Sequence, residues 1–174
     1  MFTKKQKIYK TERARIKAAA RVGLSAKVSR AKQFYVIDTS VAVYKALSRL
    51  IKKGLRGTII IPNAVIAELE NLANKNVKEG FTGLQEIAKL HWLKKKFKLK
   101  ILFEGPRPSI QEIRLAKSGE IDAIIRNIAF KKHAILVTAD LVQAKSAQAY
   151  GISVLFIRKR KKEKRKRRLF LIKR

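Results

Sequence analysis

Tyr35-Val36-Ile37-Asp38-Thr39-Ser40 places a short apolar run directly against a carboxylate and two hydroxyls. A run of that length, rich in β-branched and aromatic residues, is strand-sized and too short for a helix. Working outward from it, Phe34–Ile37 is the first of five such candidates. The others are Thr58–Ile61, Leu99–Phe103, Ala134–Val137 and Ser153–Ile157. Helix-length amphipathic segments separate them. Thr39 or Ser40 is placed to cap a helix that stops at Gly54, and Pro62-Asn63 opens a second, reaching about Lys75. Thr82 with Gln85, and Ser109 with Glu112, have the spacing of capping boxes and open a third and a fourth. Ser118-Gly119 leads into a fifth, with Ile121, Ile124, Ile125 and Ile128 on one stripe; the sixth follows Asp140 and ends before Gly151. Strands alternating with helices imply right-handed crossovers, hence a three-layer α/β/α fold around a mainly parallel sheet of about five strands.

Charge is unevenly spread around that body. Lys and Arg total 43 against 12 acids, a net charge of +31 in 174 residues. Residues 1–33 hold 11 basic residues and one acid, and residues 158–174 hold 12 and one. The partition is therefore a basic extension over 1–33, a folded domain over 34–157 and a basic tail over 158–174. Residues 10–32 have the pattern of a seventh, basic helix that folds on a polyanion. Self-repulsion of this size calls for a polyanionic partner, and nucleic acid is the obvious one. The run from Arg158 to Arg168 has no interleaved apolar face, which argues against an anionic membrane as the rival. No apolar run approaches the roughly 20 residues of a membrane span, and no secretory signal is visible. Cysteine is absent, so disulfides and thiolate metal sites are excluded and a reducing cytoplasm is the expected setting.

The aspartates are few: Asp38, Asp122 and Asp140. Asp38 directly follows a strand candidate and Asp140 lies just beyond another. In an open parallel sheet, ligands bind in the crevice beyond the carboxyl ends of the strands. Asp122 falls in the first turn of the fifth helix and Glu68 in the second turn of the helix after the second strand, both near that edge. Singly each has a plain structural use, as cap, dipole partner or turn residue. Periodicity does not choose between Glu68 and Glu70, nor between Glu120 and Asp122. Together, though, these acids would repel one another unless cations sat among them. Hard carboxylate oxygens suit Mg²⁺ or Mn²⁺. Other chemistries lack their residues: there is no phosphate-binding GxxxxGK[ST] loop, no G-x-S-x-G elbow, and His91 and His133 have no zinc-site spacing.

With those residues in hand, the chain resembles the PIN-domain nucleases. Val36-Ile37-Asp38-Thr39-Ser40-Val41 is similar to their first motif, and Ile61-Pro62-Asn63-Ala64-Val65-Ile66-Ala67-Glu68-Leu69-Glu70 to the second. Gly119-Glu120-Ile121-Asp122-Ala123 resembles the third, and Leu136-Val137-Thr138-Ala139-Asp140 the fourth. The likeness is strongest to the amino-terminal PIN domain of archaeal PIN–KH ATPases and covers about residues 35 to 157. Two departures stand out. The residues after Ile157 are a basic run where those proteins carry ATPase and KH parts, and Val43-Tyr44-Lys45-Ala46 replaces the acidic and glycine residues that often follow the first motif.

The resemblance implies a divalent-metal-dependent endoribonuclease with Asp38, Glu68, Asp122 and Asp140 as its acidic quartet. It implies Glu120 as an outer ligand and Thr39, Ser40 and Thr138 as hydroxyl partners. RNA contacts are expected from Arg13, Arg15, Lys17 and Arg21 in the first extension. In the tail they are expected from Arg158, Lys159, Arg160, Lys161, Lys162, Lys164, Arg165, Lys166, Arg167 and Arg168. Relatives often pair through helices, so a homodimer is a further expectation. The competing class is a non-catalytic RNA-binding protein seated on the ribosome or its rRNA, which the basic arms fit equally well.

Overall fold

A computed structural model describes residues 33–115 and 119–158. The five strands are β1 (Phe34–Ile37), β2 (Thr58–Pro62), β3 (Lys100–Glu104), β4 (Ile135–Thr138) and β5 (Val154–Phe156). Each lies within a residue or so of its expected place. They form one sheet in the order β3-β2-β1-β4-β5, with every neighbouring pair parallel. The central strands are buried on both faces: Ile59, Ile60 and Ile61 are consecutive and all fully buried, as are Val36, Ile37, Leu136 and Val137. A strand covered on both sides needs an unbroken apolar run rather than alternation. The edge strands β3 and β5 remain partly exposed.

Seven helices are seen among the described residues: α1 (Thr39–Val43), α2 (Ala46–Lys52), α3 (Asn63–Asn74), α4 (Lys78–Phe97), α5 (Ile110–Leu115), α6 (Glu120–Lys131) and α7 (Leu141–Ala149). The chain steps outward from β1 to β3, returns across the sheet to β4, and continues to β5. Right-handed crossovers running in opposite directions put helices on both faces. Helix α4 packs on α1, α2 and α3, while α6 lies against β1 and β4, and α7 against β4 and β5. This is the expected three-layer α/β/α arrangement.

Two expected helices differ. The segment after Asp38 is not one helix to Gly54 but two, broken at Lys45, whose left-handed backbone (φ 51°) ends the first. No side chain within α2 caps its start. Instead the buried Glu86, on α4, accepts a hydrogen bond from the Ser48 amide at 2.7 Å, a long-range substitute for a local cap. Thr82 does not open the third expected helix either: α4 begins at Lys78, so Thr82 and Gln85 sit inside it. Its start is placed by contact with α3, since a Cβ on Gly80 would stand 2.3 Å from the Ala73 nitrogen. Only glycine admits that approach. The Ser109–Glu112 box does form, with both reciprocal hydrogen bonds made. The basic helix expected over residues 10–32 lies outside the described residues.

Candidate functional site

Strand order reverses between β1 and β4, and the crevice beyond the carboxyl ends of those two strands is the switch point at which open α/β sheets bind ligands. Asp38 and Asp140 sit there, because β1 ends at Ile37 and β4 at Thr138. The ladder continues one step, with the Asp38 amide donating to the Val137 carbonyl at 3.0 Å.

Asp38 is only 4% exposed. Its Oδ2 accepts hydrogen bonds from the hydroxyls of Ser40 and Thr138, the latter at 2.7 Å. Each hydroxyl also accepts an amide from the β4 side: Ala139 donates to Ser40 Oγ and Asp140 to Thr138 Oγ1, both at 2.9 Å. Two short side chains thus tie the ends of β1 and β4 together and fix the carboxylate between them. Thr39 and Ser40 do not cap α1. Thr39 donates to Glu68 Oε2 at 2.5 Å, which orients Glu68 from α3 towards the same crevice. Asp140 caps α7, its Oδ1 accepting the amides of Val142 and Gln143 at 2.7 and 3.1 Å.

Electrostatics show which acids share one field. Burial pushes the Asp38 carboxyl above its ordinary pKa, against the pull of the Ser40 and Thr138 hydroxyls. The amides of Thr39 and Ser40 lie near enough to help, without forming strict cap hydrogen bonds. Glu68 is raised by burial first and then by repulsion from Asp38 and Asp122, with the Thr39 hydroxyl opposing. Asp122 is raised by burial, then by Asp38 and Asp140, while the nearby Arg126 lowers it. Asp38 therefore acts on both Glu68 and Asp122, Asp122 on Glu68, and Asp140 on Asp122, and none of the four forms a salt bridge among the described residues.

The two choices that periodicity left open are separated by contacts. Glu70 turns away from Glu68 and pairs with Arg107 at the surface. Glu120 is exposed at the first position of α6 and makes no hydrogen bond or ion pair among the described residues. Arg126 was missed, although its place one turn after Asp122 was readable. Of the basic residues expected to hold RNA, only Arg158 lies within the described residues, and it is exposed.

As the side chains stand, no three acidic or histidine groups among the described residues converge closely enough to hold one cation together. Three of the carboxylates are turned instead to hydroxyl or amide partners. The donor set nevertheless fits a hard divalent ion in charge and in chemistry: its donors are all oxygens, three of the four acids are partly or wholly buried, and none is salt-bridged among the described residues. No helix among the described residues is long and apolar enough to cross a membrane.

Comparison with known proteins agrees with this fold. Over 123 residues the chain is 42% identical to an uncharacterized KH and PIN-domain containing protein of Methanocaldococcus jannaschii, covering 70% of this chain and 19% of that protein. The chain thus spans less than a fifth of that relative's length. A solved structure, described as a domain of a functionally unknown protein from the same organism, aligns with a TM-score of 0.70 at 40% identity. That alignment covers 76% of this chain and 96% of the other. The model of the PIN domain matches residues 35–149, most of the chain, and so the protein belongs to the PIN-domain family, whose members are generally nucleases.

Proposed function

We propose that this protein is a divalent-metal-dependent endoribonuclease that hydrolyses RNA phosphodiesters while basic segments flanking the domain hold the RNA backbone. One observation carries the reading. In a chain of net charge +31, Asp38, Glu68, Asp122 and Asp140 border the switch-point crevice, near enough that Glu68 and Asp122 are raised in pKa in part by their acidic neighbours. No Lys or Arg is salt-bridged to them among the described residues, and a modest turn of the side chains would be needed to gather them on one ion. Family membership favours the enzyme over a purely RNA-binding role.

In this reading the four carboxylates hold Mg²⁺ or Mn²⁺, with Glu120 as an outer ligand. Ser40 and Thr138 hold Asp38 in position, and Thr39 does the same for Glu68. When bound, such an ion lowers the pKa of the attacking water and stabilises charge on the phosphoryl oxygens, leaving 5′-phosphate and 3′-hydroxyl ends. Without a bound cation the four acids would repel the substrate's phosphate. Residues 1–33 and 158–174 act as the RNA-holding extensions of a domain over 34–157, and a large structured RNA such as rRNA suits arms of that charge.

The test is incubation of the purified full chain with mixed RNA in Mn²⁺ or Mg²⁺, beside an Asp38→Asn, Asp122→Asn double variant. Cleavage by the parent and none by the variant is expected. Equal cleavage by both would trace to a contaminant, and none by the parent in either ion would leave an RNA-binding role.

A further inference from the structure

Along α6, from the turn that follows Asp122 to the C-terminal end of the helix, runs an open cleft of about 300 Å³ lined by Ala123, Arg126, Asn127, Phe130, Tyr150 and Ile152. The first four recur at three- and four-residue spacing and line one face of α6. Tyr150 approaches from the end of α7, and the buried Ile152 forms the floor. Phe130 is 59% exposed and Tyr150 65%. The two aromatic rings, largely in water, border one cleft and offer it an apolar, stacking surface.

The surroundings say what kind of contact. Arg126 stands one turn beyond Asp122, close enough for its charge to favour the ionised carboxylate. It is a cation at the border between the acidic crevice and the aromatic cleft. Asn127 adds an exposed amide with donors and an acceptor. A flat ring, a hydrogen-bonding edge and an adjoining anion together describe a nucleotide.

We infer that this cleft takes an unpaired nucleobase of the RNA substrate, stacked on Phe130 and Tyr150, while Arg126 meets the phosphate that leads to the carboxylate crevice. RNA as the ligand rests on the function proposed above. The inference adds a subsite set apart from the crevice: base faces in a duplex are already covered, so only an unpaired base enters the cleft.

The test uses the full-length Asp38→Asn, Asp122→Asn protein, so that binding is read without cutting. It is titrated with a short single-stranded oligoribonucleotide carrying 2-aminopurine, at about 0.5 M salt to screen backbone contacts. Quenching of the base analogue on binding is expected. Adding Phe130→Ala or Tyr150→Ala should abolish the quench and weaken binding about tenfold, whereas Tyr150→Trp should keep both. A duplex of the same sequence should show no quench. An abasic nucleotide at the probe position should weaken binding as the alanine variants do, a control that leaves the protein unaltered. Absence of quench in the parent overturns the inference. So does an undiminished quench in both alanine variants, or a change confined to sedimentation, which would assign the rings to a second copy of the chain. Stacking without RNA cleavage by the wild type would sink the nuclease reading alone. Cleavage with no effect of either ring would sink the cleft alone.

Discussion

The acids at the β3 edge and those at the β1–β4 crevice are treated in opposite ways. At the edge, Glu70 pairs with Arg107, Glu104 with Lys132 at 2.9 Å, and Glu112 completes the cap of α5. At the crevice, Asp38, Glu68 and Asp122 are partly or wholly buried, raised in pKa and repelled by one another. With 43 basic residues in the chain, cations are not scarce. None of the three is salt-bridged to one among the described residues, although Arg126 favours the ionised Asp122, and a desolvated charge costs folding free energy unless paired. Negative charge at the crevice is therefore kept at the expense of stability, as at sites that bind cations, whereas at the edge it serves the fold.

The largest effect separating the two regions should be on RNA cleavage. Asp38→Asn is expected to lower the rate by about 10²–10³ or more, in the range set by losing one organising charge at a reaction centre. Glu70→Gln should leave it within a factor of about two, because an exposed pair contributes little. Initial rates on a defined RNA in Mn²⁺ check both, and equal losses would erase the distinction.

A smaller effect, of opposite sign, should appear in stability. In metal-free buffer Asp38→Asn should raise Tm by about 3 °C, the shift that roughly 1 kcal/mol gives a domain of this size. The gain should depend on pH. A carboxyl whose pKa is raised on folding contributes stability that is fully present below its unfolded pKa and is lost as pH rises through its folded pKa. The gap between variant and wild type should thus be wide at neutral pH and close as the solution is acidified. Calorimetry at several pH values measures it. A variant less stable than wild type at neutral pH would mean that Asp38 serves the fold.

The smallest effect belongs to the edge. Arg107→Ala should cost about 1 kcal/mol or less, and less still in high salt, because both partners of its ion pair are well exposed. Denaturant unfolding decides this, and a loss of several kcal/mol would show that the edge pair is a structural keystone.

Legibility from sequence followed the range of the interactions. The strands were readable because a centre buried on both faces leaves unbroken apolar runs such as Ile59-Ile60-Ile61. Asp38 and Asp140 were readable because each lies just past a strand end. The Ser109–Glu112 cap was readable because both partners lie within one turn. Distance in sequence hid the rest. The break at Lys45 depends on Glu86 reaching back to Ser48, and the start of α4 depends on Gly80 meeting α3. Glu68 and Glu70 are equivalent on a helical wheel and differ only through Thr39 and Arg107, each brought in by tertiary contact.

The most direct measurement is a calorimetric Mn²⁺ titration of the full chain at neutral pH, beside the Asp38→Asn, Asp122→Asn variant. Saturable binding by the wild type, with a parallel rise in Tm, is the expected result. The variant should show neither. Equal uptake by both proteins, or none by the wild type, would contradict the claim that these carboxylates are held together for a cation.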